Sequence, residues 1–205
     1  MRPTDHNGMI QRSILYLHGF RSSPQSMKAR LMADTMRRLG RTDQFVCPQL
    51  PASPKLAMQL AAQLVHRSCP DGDFSRLTVI GSSLGGFYAT SLAEQFGCHA
   101  VLLNPAVKPP RDLSDQVGVT TAYHSNEVFE FLEEYLDELE QFAVSAISRP
   151  ERYFLIAATG DEVLDWREMV AHYPNAKHLV IEGSNHAIDE FSRYIDQIMA
   201  FCDAD

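Results

Sequence analysis

Short apolar runs alternate along this chain with longer segments in which apolar residues recur every three or four positions. Four of the short runs are apolar at consecutive positions, which is typical of strands buried on both faces of a parallel sheet. Turn-forming residues follow each run, so each predicted strand ends there. The predicted strands are Ser13–His18, Phe45–Pro48, Leu77–Gly81, Ala100–Leu103, Tyr153–Ala157 and His178–Glu182.

The longer segments predict helices between these strands. The last of them carries Ile188, Phe191, Ile195 and Ile198 on one stripe, which is the helical period. Strand–helix alternation predicts an α/β fold in which helices cover both faces of a mostly parallel sheet. The predicted helices are 23–39, Lys55–His66, Leu84–Phe96, Glu127–Ile147, Trp166–Ala171 and Ile188–Phe201.

The 205 residues are expected to form a single domain, 1–205, because no linker, internal repeat or low-complexity tract divides them. The one long excursion, around 108–149, is interpreted as a short helical insert. In the simplest interpretation its helix covers the sheet and turns an acidic face to solvent. Alternatively, its first part caps a substrate pocket, where Lys108 and Arg111 are either exposed loop charges or contacts for an acidic substrate.

Composition and charge exclude several classes of partner. The formal net charge of −8 at pH 7 repels phosphate backbones, so nucleic acid is not an expected partner. No run approaches the roughly 18 apolar residues of a membrane span, and residues 1–8 lack the apolar core of a signal peptide. The four cysteines are scattered, without the spacing of a zinc site. We therefore expect reduced thiols, a cytoplasmic location and no membrane insertion.

A candidate nucleophile follows the third predicted strand. Gly81-Ser82-Ser83-Leu84-Gly85 has the form G-x-S-x-G, between an apolar strand and a helix. A nucleophile on so sharp a turn brings the residues two before and two after it close together, and glycine permits that approach. Ser82 lacks glycine at both places, so Ser83 is the candidate. The alternative, a turn for packing or phosphate binding, lacks the sequence of a P-loop or a dinucleotide site.

A serine hydroxyl needs a positioned imidazole to take its proton, and the imidazole needs a carboxylate to hold its tautomer. His186 follows the last strand, which places it at the same sheet edge as Ser83. The other histidines are interpreted as packing or surface residues. Asp161 comes first among the acids after the fifth strand; Asp165 is the nearest rival but suits the N-cap of the next helix, and Glu162 ranks last.

An oxyanion formed by attack on a carbonyl requires hydrogen-bond donors. The backbone N–H of Leu84 is one candidate, because it lies at a helix N-terminus. The other is the N–H of Phe20, in the loop after the first strand. His18 in that loop is interpreted as bonded to loop backbone rather than as a base.

Taken together, these motifs resemble the YqiA-type bacterial esterases, which are short members of the α/β-hydrolase superfamily. The resemblance spans nearly the whole chain and implies a carboxylic-ester hydrolase that acts on acyl esters, or on acyl-CoA thioesters, without a cofactor. By motif it assigns Ser83 as nucleophile, Asp161 as acid, His186 as base, and Phe20 and Leu84 as oxyanion donors. The motifs that carry it are residues 16–20 (YLHGF), 22–26 (SSPQS), 81–90 (GSSLGGFYAT), 103–107 (LNPAV) and 160–165 (GDEVLD).

The expected fold is therefore a three-layer α/β-hydrolase fold of about six parallel strands in spatial order 2-1-3-4-5-6. Because the first strand already carries the His-Gly loop, the opening antiparallel strands of larger hydrolases are expected to be absent. The expected substrate is a small acyl ester. Two alternatives use the same fold: a non-catalytic module that binds a ligand or partner, and an acyltransferase or perhydrolase with the same triad.

Overall fold

The computed structural model describes residues 12–121 and 128–204. Six parallel strands form its main sheet, in the order β2-β1-β3-β4-β7-β8, and two antiparallel strands, β5 and β6, form a separate hairpin. The strands are β1 (Ser13–Leu17), β2 (Phe45–Val46), β3 (Leu77–Ser82), β4 (His99–Leu103), β5 (Gly118–Thr121), β6 (Val128–Phe131), β7 (Tyr153–Ala158) and β8 (Lys177–Ile181).

Helices cover both faces of the sheet, so the fold has three layers. One apolar cluster packs α1 and α7 against one face, and a second packs α2, α3, α5 and α6 against the other. Short 3₁₀ turns lie at 42–44, 74–76, 114–116, 150–152 and 191–194. The helices are α1 (Met27–Arg38), α2 (Pro54–Ser68), α3 (Leu84–Phe96), α4 (Pro109–Asp112), α5 (Glu134–Glu140), α6 (Trp166–His172) and α7 (Ile195–Cys202).

The predicted fold class and strand order are confirmed. The six predicted strands correspond to β1, β2, β3, β4, β7 and β8, and they lie side by side in the predicted order 2-1-3-4-5-6. β3, β4 and β7 have almost no solvent exposure, as expected for central strands covered on both faces. Within the described residues the sheet begins at β1, without a preceding antiparallel strand.

The predicted helix Glu127–Ile147 is wrong. Its first described residues, Val128–Phe131, form β6, which pairs antiparallel with β5, and the helix α5 spans only Glu134–Glu140. Alternating exposure in β6 explains the difference: Val128 and Glu130 are exposed, whereas Phe129 is half-buried and Phe131 is buried. Glu127 lies outside the described residues.

The last predicted helix is also shorter than expected. Ile188 has a left-handed backbone (φ 54°), which an α-helix does not accommodate, and the chain passes through a 3₁₀ turn before α7 begins at Ile195. The residues of the apolar stripe are nevertheless buried against the sheet. The loop after β8 is therefore longer and more irregular than the sequence pattern indicated.

Candidate active site

Ser83 lies in the sharp turn between β3 and α3, with φ 55° and ψ −121°. A left-handed backbone is uncommon for a residue with a side chain and costs on the order of 1–3 kcal/mol. The turn is held by its neighbours, because Ser83 N donates to Leu103 O (3.0 Å) and Ser83 O accepts from Ala106 N (3.0 Å). The strained residue is thus fixed in place at the carboxyl edge of the sheet.

Two glycines make this turn sterically accessible. A Cβ on Gly81 would lie 2.1 Å from Gly85 O, and a Cβ on Gly85 would lie 2.0 Å from Leu17 O. Both distances are far below van der Waals contact, and the atoms involved are backbone atoms that cannot move aside. The close approach inferred from the sequence is therefore present, and it brings the β1 strand end against the start of α3.

Asp161 and His186 are hydrogen-bonded across the ends of β7 and β8. His186 Nδ1 lies 2.8 Å from Asp161 Oδ2, and the Asp161 side chain is fully buried. The other carboxylate oxygen, Oδ1, accepts from the backbone N–H groups of Val163 (2.8 Å) and Leu164 (2.9 Å). These bonds fix the carboxylate, which in turn fixes the imidazole with Nδ1 toward the acid and Nε2 free for another group.

The rival acids take other roles. Asp165 caps α6, as the sequence indicated, because its side chain accepts from Arg167 N (2.9 Å). Glu162 accepts from the backbone N–H of His186 (3.0 Å) and so supports the loop rather than the ring. Of the three carboxylates considered, Asp161 is the one bonded to the imidazole.

His18 is buried and hydrogen-bonded to backbone through both ring nitrogens. Its Nε2 accepts from the backbone N–H of Leu50 (3.1 Å), and its Nδ1 lies 3.0 Å from Gly19 O. Burial lowers the pKa of His18 below its ordinary value. The ring thus joins two loops, as the sequence analysis expected.

The remaining described histidines pack against aromatic rings or backbone away from Ser83. His66, His99 and His172 make edge-on aromatic contacts, and His178 Nε2 lies 2.7 Å from Tyr173 O. His124 lies outside the described residues.

The N–H groups of Phe20 and Leu84 are the two candidate oxyanion donors. Both residues border the cavity that contains Ser83. Neither N–H donates a hydrogen bond to another described residue, and the Leu84 N–H belongs to the first turn of a helix, where no intrahelical acceptor exists. Both donors are therefore available to a bound oxygen.

The hairpin holds the loop that carries Phe20. The Phe20 ring packs edge-on against Phe129 (centroids 5.2 Å apart) and Phe131 (5.1 Å), and Arg21 Nε donates to Thr121 O (2.7 Å). Sequence reasoning missed this contact because it assigned residues 128–131 to a helix. The alternation of Val128 and Glu130 with two phenylalanines is the feature of the sequence that indicates a strand here.

A cavity of about 510 Å³ lies over this edge of the sheet. Ser83 and His186 both border it, and most of its surface is apolar, from residues such as Phe20, Met27, Leu113 and Leu164. Leu113, with its neighbours Asp112 and Gln116, belongs to the insert, so the first part of the insert lies against the cavity. This volume falls within the range of small-molecule sites.

Lys108 and Arg111 do not face the cavity as free cations. Glu168 of α6 accepts from Lys108 Nζ (3.1 Å) and from Arg111 through two bonds (2.8 and 2.7 Å). These bonds lower the pKa of Glu168 to about 2. The cluster ties the insert to α6, and its bases are already paired with a carboxylate.

No group of three or more His, Cys, Asp or Glu side chains within residues 12–121 and 128–204 is arranged to bind a metal ion. In the same ranges, every helix is too short or too polar to cross a bilayer.

The sheet order, the left-handed serine between β3 and α3, and the acid–imidazole pair at the ends of β7 and β8 define the α/β-hydrolase fold. The sequence matches the Uncharacterised protein family UPF0227 over residues 13–203, and the chain belongs to that family. A UPF0227 protein from Yersinia pseudotuberculosis serotype O:1b (strain IP 31758) is 21% identical over 195 residues, which are 92% of this chain and 97% of that protein.

Solved structures share the fold at lower identity. The α/β hydrolase domain-containing protein 10 from mouse superposes with a TM-score of 0.67 at 15% identity, covering 92% of this chain and 89% of its own. The esterase domain of a Rhodothermus marinus protein superposes with a TM-score of 0.64 at 16% identity, covering 94% of this chain and 86% of its own. At these identities the likeness concerns the fold.

Proposed function

We propose that this protein is a serine hydrolase that cleaves carboxylic esters of small acyl groups through Ser83, His186 and Asp161. The observation that carries the proposal is the 2.8 Å bond from His186 Nδ1 to the buried Asp161 carboxylate, at the edge of the cavity that Ser83 borders. That bond uses Nδ1, so in the proposed site Nε2 is the ring nitrogen that accepts the proton of Ser83, as nucleophilic catalysis requires.

In the proposed reaction, Ser83 Oγ attacks the ester carbonyl carbon while His186 Nε2 accepts the hydroxyl proton. The carbonyl oxygen becomes negative and binds the N–H groups of Phe20 and Leu84. The carbon–oxygen bond to the leaving group then breaks, and His186 returns its proton to the departing alcohol. A water molecule attacks the acyl-serine in the same way, releasing the acid and restoring Ser83.

The cavity supports an acyl ester as substrate class. Its largely apolar walls favour an alkyl or aryl acyl group. One structural neighbour is itself named for an esterase domain. An acyl-CoA thioester would undergo the same steps with a thiol as leaving group, as would an acyl transfer to an alcohol or peroxide.

The test is the substitution Ser83→Ala, with Ser91→Ala on the same helix as the matched control. We expect Ser83→Ala to lower kcat on p-nitrophenyl esters about 10⁴- to 10⁶-fold with folding retained, and Ser91→Ala to leave it unchanged. A fluorophosphonate probe should label the wild type on Ser83, as read by peptide mass spectrometry. A folded Ser83→Ala protein with wild-type turnover would refute the proposal, and a wild type that neither turns over esters nor takes the label would favour a non-catalytic module.

A further inference from the structure

The backbone carbonyl of His186 lies between two buried polar side chains that come from distant parts of the chain. Asn104 Nδ2 donates to it (3.2 Å), and Lys28 Nζ lies 3.4 Å from it. Each side chain also holds an adjacent carbonyl: Asn104 Nδ2 donates to Asn185 O (3.1 Å) and Lys28 Nζ to Ala187 O (2.8 Å). These two side chains therefore reach three consecutive carbonyl groups of the loop, those of residues 185 to 187.

The loop depends on such support because its own backbone is irregular. Gly183, Ser184 and Ile188 all have left-handed backbones (φ 70°, 58° and 54°), so the chain around His186 has no regular hydrogen-bond ladder. Carbonyl groups shielded from water are costly without a partner, and here side chains from other elements add donors to the one backbone bond, from Ile188 N to Asn185 O (3.0 Å). Asn104 and Lys28 fill this role on the sheet side and the α1 side of the loop.

Asn104 connects the loop to the strand that carries the acid. Its side chain is fully buried at the end of β4, and its Oδ1 accepts from Ala158 N (2.8 Å), three residues before Asp161. Its backbone φ is 44°, a conformation that Asn, Asp and Gly tolerate better than other residues. One amide thus fixes the end of β7 relative to the loop after β8.

Lys28 approaches from the first turn of α1 and is only 9% exposed. Burial lowers the pKa of its ammonium to about 8, while the nearby carboxylates of Asp161 and Asp189 favour its charged form. An ammonium with so little exposure is costly without hydrogen-bond partners, and the loop carbonyls supply them. Its hydrogen-bond partners are the carbonyl oxygens of His186 and Ala187.

We propose that Asn104 and Lys28 are positioning residues that hold the His186 peptide so that its ring stays aligned between Asp161 and Ser83. The inference rests on the proposed function, since it assumes that His186 is the base. Neither side chain transfers a proton in this scheme. Their effect is on geometry, because loss of either side chain lets the imidazole ring turn or shift. A misplacement of about 1 Å in a reacting group can lower the rate by a factor of about 100.

Substitutions at Asn104 can separate this role from a contribution to folding. Asn104→Asp keeps the shape and the acceptor for Ala158 N but replaces the donor by an oxygen that repels the loop carbonyls. Asn104→Gly keeps the left-handed backbone and removes the amide. The matched controls are Asn175→Asp and Asn175→Gly, because Asn175 is exposed and also left-handed (φ 62°) but lies outside the cavity.

The measurement is ester turnover divided by the number of competent sites, which the end point of fluorophosphonate labelling counts. We expect kcat per site to fall roughly 10- to 100-fold in both Asn104 variants, with KM changed less than twofold and both Asn175 controls at wild-type values. Lys28→Met should lower kcat per site in the same direction. In proton NMR, the low-field resonance of the His186 Nδ1–H, assigned by its loss in Asp161→Asn, should shift or broaden in the Asn104 variants.

The possible results distinguish a failure of this inference from a failure of the proposed function. If Asn104→Asp and Asn104→Gly lose stability or labelled sites but keep wild-type kcat per site and an unchanged low-field resonance, the residues are only structural and the inference is overturned. If one Asn104 variant does not fold, the other Asn104 variant and Lys28→Met test the inference by the same two measurements, kcat per site and the low-field resonance. If Ser83→Ala retains turnover, the proposed function itself fails, whatever the Asn104 variants show.

Discussion

Gly85 has to be glycine for a reason that concerns backbone atoms only. A Cβ there would lie 2.0 Å from Leu17 O and 2.7 Å from His18 O, so neither a rotamer change nor a shift of a flexible side chain could relieve the overlap. β1 and α3 would have to separate, which would disturb the serine turn and the Phe20 loop together. The glycine of the G-x-S-x-G motif is therefore required for the packing of β1 against α3, whatever the role of the serine.

We expect Gly85→Ala to lower the free energy of unfolding by more than about 3 kcal/mol, since overpacking against movable atoms alone costs about 1–3 kcal/mol. Gly40→Ala is the control: Gly40 is left-handed (φ 69°), but its Cβ would meet no atom within 4 Å. That variant should lose only about 1–2 kcal/mol. Urea unfolding of both variants measures the difference, and equal losses would contradict the steric argument.

Titration of Lys28 makes the stability of the fold depend on pH. Its pKa falls from 10.5 to about 8 on folding, chiefly through burial. Between these two values the unfolded chain still holds the proton and the folded chain does not, so stability rises with pH across that window. The cost of burying the charge is fully present below about pH 8.

We therefore expect wild type to gain stability relative to Lys28→Met between pH 7.5 and pH 10. The gain is at most about 3 kcal/mol, since each pKa unit corresponds to about 1.4 kcal/mol. Paired urea titrations at the two pH values measure it, and the comparison with the variant cancels the titration of other groups. A constant difference between the two proteins would mean that Lys28 keeps its proton throughout.

At the scale of elements, the β5–β6 hairpin packs against the loop that carries Phe20, the proposed oxyanion donor. Phe129 and Phe131 face the same side of β6, and both rings contact Phe20 edge-on. Aromatic contacts of this kind are worth about 0.5–1.5 kcal/mol beyond the area they bury. Without one of them, the Phe20 loop has more freedom to move, and its N–H is less precisely aimed.

We expect Phe129→Ala to lower kcat per labelled site about 10-fold, less than the roughly 10²-fold or larger cost of deleting an oxyanion donor outright. Val128→Ala provides the control on the same strand, because Val128 is 69% exposed and faces away from Phe20. Turnover normalised to labelled sites measures both variants. Wild-type turnover in Phe129→Ala would show that the hairpin does not position the loop.

The elements that local pattern predicted well are the ones whose environment is uniform along their length. Central strands such as β3 and β7 are buried along their whole length and are mostly apolar, and α3 is buried over most of its length, from Leu84 to Ala93. The hairpin was missed because each of its strands has only four residues and their alternation is too short to outweigh an acidic, helix-favouring stretch that follows.

The residues of the candidate site likewise fall into those that the sequence predicts and those that it does not. Ser83, Asp161 and His186 each follow a strand that the sequence pattern predicts, so the geometry of a parallel sheet predicts that they lie at one edge. Asn104 and Lys28 carried no comparable signal. The bond from Lys28 Nζ to Ala187 O joins residues 159 apart in the chain, and in the sequence Lys28 is indistinguishable from a solvent-exposed helical lysine. Contacts of that kind arise only when the layers pack.

For the whole molecule, charge bears on which leaving group the cavity accepts. The chain has a formal net charge of −8 at pH 7, and Asp112 and Asp189 border the cavity. Lys108 and Arg111 are not free cations at the cavity, because Lys108 binds Glu168 and Arg111 binds both Glu168 and Asp112. A field of this sign repels a polyanion such as coenzyme A but does not act on a neutral ester.

We therefore expect kcat/KM for an acyl-CoA to be several-fold lower at about 10 mM than at about 100 mM salt, where the screening length falls from about 30 to about 10 Å. The same acyl group on uncharged N-acetylcysteamine keeps the thioester bond and removes the phosphates, so its kcat/KM should not change with salt. The ratio of the two kcat/KM values, measured across a salt series, separates the electrostatic contribution to substrate recognition from the contribution of the acyl pocket. An acyl-CoA that reacts faster than the uncharged thioester at low salt would require a cationic docking site for the nucleotide, and it would make a thioester the better assignment of the substrate.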